Sequence, residues 1–262
     1  MSERAPELER LAEIMARLRG EGGCPWDREQ SLESLKPFLL EEAYEVLEVM
    51  GDEDPAAHRE ELGDLLFQVV FQSQLRSELG HFELRDVVDV ICEKLTRRHP
   101  HVFGSEQMDE PEEVAKRWDE LKAAEGKGDI SDVPRALPAL TRAAKIGKKA
   151  AKVGFDWPDV SGPIAKLEEE LSELKHALAH ESQERVSDEL GDVLFAAVNV
   201  ARHTGNDPEL ILRATTERFL ERFKWVRNTL RDRDVELGRD EVSLETLDAL
   251  WEEAKLTRDR TR

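Results

Sequence analysis

Residues 166–192 read KLEEELSELKHALAHESQERVSDELGD, and this stretch decides the fold. It holds two carboxylate pairs, Glu170 with Glu173 and Glu189 with Asp192. Each pair has i, i+3 spacing, which stacks two side chains on one face of a helix. A break around His180 to Gln183 separates the pairs, so the two helices fold back antiparallel and aim four carboxylates into one space. Two unit charges about 4 Å apart repel by roughly 4 kcal/mol at an effective dielectric of about 20. A bound divalent cation removes that repulsion, and an all-oxygen ligand set suits Mg²⁺, or Mn²⁺, better than Zn²⁺. The plain alternative is a solvated acidic face, which is common in a chain with 58 Asp and Glu.

A duplication argues against that alternative. Residues 41–45 read EEAYE and 61–67 read ELGDLLF; residues 169–173 read EELSE and 189–195 read ELGDVLF. Glu42, Glu45, Glu61 and Asp64 recur as Glu170, Glu173, Glu189 and Asp192, always 128 positions further on. A solvated face has no reason to keep four charges in register. The repeat also keeps cations and an aromatic. Lys94 and Arg98 match Arg218 and Arg222, and Trp118 and Lys122 match Trp251 and Lys255. A metal cluster, two cations one helical turn apart and an indole beside a lysine suit a single ligand: the ion and cations take a polyphosphate, and the indole stacks on a base. Salt bridging to nearby glutamates is the plain reading of the cations, and core packing that of Trp251.

The rest of the chain bounds these readings. The 262 residues divide into two domains along the repeat, and apolar periodicity predicts helices from end to end with no convincing strand. The expected fold is all-α, two tandem helical bundles: residues 1–125, a turn-rich linker over 126–138 (GKGDISDVPRALP), and residues 139–262. The segment GEGGCPWD (20–27) reads as a loop, with Trp26 as a core anchor. On the predicted third helix of the first half, Val87, Val88, Ile91 and Leu95 form the inward face. A net charge of −20 argues against a general nucleic-acid surface. Cys24 and Cys92 form no CxxC or zinc pattern and suit a reducing compartment. The amino terminus lacks the apolar core of a signal peptide, and no run approaches the ~18 apolar residues of a membrane span, so a soluble cytoplasmic protein is expected.

EExxE followed by ExxD on two helices, present twice, resembles the MazG family of nucleoside triphosphate pyrophosphohydrolases. The phrases ELGDLLFQVV (61–70), RRHPHVF (97–103) and VGFDW (153–157) share the resemblance, which covers nearly the whole chain. It implies an all-α homodimer with intertwined helices, Mg²⁺ dependence, hydrolysis of NTPs to NMP and pyrophosphate with wide base tolerance, and a house-cleaning or nucleotide-signalling role. Carried onto this sequence, it makes Glu170, Glu173, Glu189 and Asp192 the metal ligands. It gives phosphate contacts to Lys166, Arg185, Arg218, Arg222 and Lys255, the base to Trp251, and orientation of the attacking water to Glu169. Lys166 and Arg185 have no counterpart 128 residues earlier, where Phe38 and Ala57 stand; Lys36 and Arg59 lie two residues away. The main activity is therefore expected in the second half, with Glu42, Glu45, Glu61, Asp64, Lys94, Arg98, Trp118 and Lys122 forming a second, weaker site. Two competing readings are a di-iron carboxylate bundle, for which Glu173-x-x-His176 supplies one of the two motifs needed, and an acidic helical module that docks a basic partner.

Overall fold

A computed structural model describes residues 6–51, 54–108, 110–125, 129–237 and 241–259. Every regular element among them is helical, and the chain packs as two compact units, Met1–Leu121 and Lys122–Arg262. The stretch expected as a linker, 126–138, lies partly outside the described residues; Ile130–Asp132 within it is a single 3₁₀ turn.

The first unit opens with α1 (Pro6–Arg19) and the short α2 (Pro25–Glu29), followed by the carboxylate helices α3 (Lys36–Val49) and α4 (Pro55–Glu78). Asp54 caps α4 by accepting from the Ala56 amide at 2.9 Å, and Pro55 takes the first helical position, where its missing N–H is not needed. Next come α5 (Leu84–Arg98), the single turn α6 (Pro100–Phe103), and α7 (Pro111–Ala124), which runs past the division between units. Met15, Leu35, Val70, Phe71 and Leu75 form the core where α1 crosses α4. Arg19 closes its edge, donating to both Glu78 carboxylate oxygens at 2.7 Å while its guanidinium lies 5.6 Å from the Phe71 ring centroid. Trp26 is half exposed, edge-on to Phe38, and sits at the rim of this core instead of anchoring it.

The second unit holds α8 (Ala139–Lys152), α9 (Ser161–His180), α10 (Gln183–His203), α11 (Pro208–Arg231) and α12 (Leu244–Asp259). Only Glu181 and Ser182 separate α9 from α10, so the two run antiparallel. Behind them α8 packs on α10 through Gly147, where a Cβ would come within 3.0 Å of Arg202 Nε. Arg202 in turn grips Asp156 through two hydrogen bonds of 2.5 and 2.7 Å, and His203 Nε2 lies 2.9 Å from the same carboxylate. The VGFDW segment is thereby fastened to the end of α10. Val226, Leu230, Leu250 and Ala254 form the core between α11 and α12.

Candidate active site

The helical spacing read from the sequence is realised. On α9, Glu170 and Glu173 lie one turn apart; across the hairpin α10 supplies Glu189. One oxygen from each of the three lies within 4.8 Å of the others. Glu170 and Glu189 are almost fully buried, at 5% and 4% exposure, and Glu173 sits at the open side. Asp192 lies outside this triad, exposed on the next turn of α10.

Two cations grip the buried pair. Lys166 Nζ lies 2.6 Å from Glu170 and 2.8 Å from Glu169. Those hydrogen bonds, the one to Glu169 first, hold the Lys166 ammonium well above its ordinary pKa. Arg185 Nη2 donates to Glu189, and the same guanidinium reaches Glu181 at 3.3 Å and Asp188 at 3.7 Å. Its pKa is raised by the Glu181 hydrogen bond and then by the charge of Glu189. The clamp formed by Glu181 and Asp188 went unnoticed in the sequence, although its i, i+4 and i, i+3 spacings were visible there.

The first unit repeats the carboxylates without the cations. Glu42, Glu45 and Glu61 converge to the same 4.8 Å limit. Phe38 stands in the place of Lys166 and packs into the core; Ala57 stands in that of Arg185. Lys36 pairs with Glu33 at 2.6 Å, and Arg59 makes no ion pair among the described residues. The carboxyls respond. Glu42 is pushed above its ordinary pKa by burial first, then by the charges of Asp64 and Glu45. Glu61 is raised by burial, then by Glu45 and Asp64. Asp64 is exposed and outside the triad, though its charge is felt there.

The remaining candidates of the second unit gather around Trp251. On α11, Arg218 donates to Thr215 Oγ1 at 2.6 Å. The Arg222 guanidinium lies 6.0 Å from the Trp251 ring centroid, and its Nε is buried with no hydrogen-bond partner. Phe219 approaches the same indole at 4.9 Å, and Lys255 pairs with Glu252 at 2.6 Å. Among the described residues, no hydrogen bond or ion pair joins this group to the carboxylate triad. In the first unit Arg98 is buried, Lys94 is half-buried, and Trp118 stands edge-on to His99 at 4.8 Å. Lys122 is half-buried near the end of α7.

The donor set is three carboxylates, two of them nearly dry, with no imidazole or thiolate among them. That chemistry fits a hard divalent cation. A di-iron arrangement does not emerge. His176 points to His180 and Glu181, and in the other Glu-x-x-His of the chain, Glu78 with His81, Glu78 is held by Arg19.

An all-α chain carrying the carboxylate hairpin twice belongs to the MazG nucleotide pyrophosphohydrolase family, whose domain matches residues 30–103 and again 161–228. Among curated proteins, the chain is 42% identical over 257 residues to the nucleoside triphosphate pyrophosphohydrolase of Escherichia coli K12, covering 95% of this chain and 97% of that one. It is 43% identical over 259 residues to the nucleoside triphosphate pyrophosphohydrolase/pyrophosphatase MazG of Thermotoga maritima, covering 97% and 98%. An uncharacterized protein of Bacillus subtilis, YabN, is 42% identical over 260 residues; the match covers 97% of this chain but 53% of YabN.

Proposed function

We propose that the chain is a Mg²⁺-dependent nucleoside triphosphate pyrophosphohydrolase, converting NTPs and dNTPs to the monophosphate and pyrophosphate in its second unit. Mn²⁺ would serve the same ligands. The observation that carries the reading is the asymmetry of the repeat: both units gather three carboxylates, and only the second sets a lysine and an arginine against them.

In this reading Glu170, Glu173 and Glu189 hold the ion, with Asp192 available one turn along α10. When bound, the ion supplies charge neutralisation on the phosphates and positions the attack at the α–β bridge. Lys166 and Arg185 bind phosphate oxygens as charge shifts onto the departing pyrophosphate. Glu169, hydrogen-bonded to Lys166, accepts a hydrogen bond from the attacking water and orients it. The water oxygen joins the α-phosphorus and its proton passes to solvent, the bridging P–O bond breaks, and pyrophosphate leaves; no covalent enzyme intermediate is required. Arg218, Arg222 and Lys255 hold the distal phosphates, and the orphaned Arg222 Nε is a donor waiting for such an acceptor. Trp251 stacks on the base. Stacking accepts any base, which supports a broad substrate range and a role in cleansing the nucleotide pool or in nucleotide signalling. Glu42, Glu45, Glu61 and Asp64, with Lys94, Arg98, Trp118 and Lys122, form a weaker second site.

We place the boundary between the two MazG-like domains at the turn-rich residues 126–138, a few residues beyond the division of the compact units at Leu121/Lys122. The apolar faces support a homodimer. Leu62 and Leu66 on α4, and their repeat equivalents Leu190 and Leu194 on α10, are all exposed. Exposed leucines at matching positions of both repeats favour an interaction surface, which a second copy would cover in this reading. No described helix is long and apolar enough to cross a membrane, and the free Cys24 and Cys92 suit a cytoplasmic setting. Incubation with a panel of NTPs and dNTPs plus Mg²⁺ tests the reading: monophosphate and pyrophosphate from several bases are expected, and strict selectivity for one nucleotide would overturn the breadth claimed.

A further inference from the structure

We propose that Lys166 and Arg185 are exchange cations: each neutralises a metal-ligating carboxylate before the ion binds and turns to the triphosphate once the ion takes its place, so that metal and nucleotide bind as a coupled pair. The inference rests on the reading of the second triad as a metal site.

The ion pairs are lopsided in a way that suits exchange. The Glu170 and Glu189 side chains are 7% and 6% exposed, whereas those of Lys166 and Arg185 are 38% and 53% exposed. The buried members are fixed between α9 and α10; the wet members sit on long, mobile stems at the edge of the site. The first triad shows that the cations are not needed to close the hairpin. Glu42, Glu45 and Glu61 converge to the same limit without them. Something other than the fold must account for a lysine and an arginine placed against two of the three ligands.

A divalent ion entering the second triad brings its charge against the Lys166 ammonium, 2.6 Å from Glu170, and against the Arg185 guanidinium on Glu189. Ion and side-chain cations compete for the same oxygens, so the ion alone binds less tightly than the carboxylates would allow. A triphosphate gives the displaced cations new anionic partners and removes that penalty. By linkage, nucleotide then tightens the ion and the ion tightens the nucleotide by the same factor. The first triad, with no such cations, binds an ion without this coupling.

The test uses the full-length chain with Glu42→Gln and Glu61→Gln to silence the first triad. Mn²⁺ binding is measured by calorimetry, alone and with a non-hydrolysable α,β-methylene triphosphate. Lys166→Met should tighten Mn²⁺ alone by about three- to fivefold, the upper range of a partly exposed ion pair. It should also shrink the tightening produced by the nucleotide analogue. Lys175→Met removes the same charge from an exposed position further along α9 and should shift Mn²⁺ affinity by less than about twofold, a screened long-range effect. Lys166→Arg should retain the parent's coupling. Mn²⁺ affinity that is unchanged or weaker in Lys166→Met, or a Lys175→Met shift as large, would overturn the exchange while leaving the metal site intact. Absence of Mn²⁺ binding in both parent and variants would overturn the metal reading itself.

Discussion

Replacing Glu45 by Gln should raise the melting temperature of the metal-free protein, although it removes a residue from a site. Carboxylate oxygens of Glu42 and Glu45 lie within 4.8 Å of each other and of Glu61, with no cation paired to the triad. Two unit charges at that separation repel by roughly 3.5 kcal/mol at an effective dielectric of about 20 and by roughly 0.9 kcal/mol in bulk water. Glu45 is exposed, so the lower figure governs and the relief is about 1 kcal/mol. For a chain of this size that is a gain of about 2–4 °C. Glu173→Gln should gain less, because Lys166 and Arg185 already offset the two charges beside it, Glu170 and Glu189. The pH dependence fixes the sign independently. Glu42 has a folded-state pKa raised above its ordinary 4.5, so its contribution to stability is present below that value and is lost as pH rises through the raised one. The benefit of Glu45→Gln should therefore be full at pH 8 and fade toward pH 4. Calorimetric melts in chelator at both pH values measure it. A lower melting point for Glu45→Gln at pH 8, or an equal gain at pH 4, would refute the reasoning.

Asp156→Asn should destabilise the second unit by about 1–3 kcal/mol at pH 7, because it removes a charge from the nearly buried Arg202. Arg202 holds the Asp156 carboxyl well below its ordinary pKa of 3.8, so the stability it adds is present above that value and is lost as pH falls through the lowered one; urea titrations should show the mutant and wild type converging in acid. If two copies pair as proposed through the exposed Leu194 face, Leu194→Glu should leave a monomer in sedimentation experiments, since a charge cannot be buried unpaired against a second copy, and wild type and variant sedimenting alike would refute the pairing.

The helices were legible because their signals are local. For α11, the sequence marks the start twice: Asp207 accepts from the Glu209 and Leu210 amides, and Pro208 takes the first helical position. The short α2 and α6 were not read, since five- and four-residue helices leave no periodicity and α2 begins two residues after a glycine pair. Apolar spacing marked a face on α5, but Ile91 and Leu95 are exposed. Periodicity tells which residues share a face, not whether this chain or another covers it. At the site, spacing brought three of each four carboxylates together and could not show that Asp64 and Asp192 stand apart. The Lys166–Glu170 and Arg185–Glu189 pairs were visible as i, i+4 neighbours, yet a cation near a carboxylate and a phosphate has two partners to choose from. The Asp156–Arg202 pair spans 46 residues, a separation at which no local pattern predicts contact.

The central claim is that the second carboxylate–cation cluster performs the hydrolysis. The direct measurement is pyrophosphate released from ATP and Mg²⁺ by the wild type, by Glu189→Gln and by Glu61→Gln, with folding of each verified by its melt. The account predicts pyrophosphate and AMP from the wild type, loss of at least about a hundredfold in Glu189→Gln, where a ligand and the partner of Arg185 disappear together, and most of the activity retained in Glu61→Gln. Equal losses in the two variants, or ADP and single phosphate as products, would contradict it.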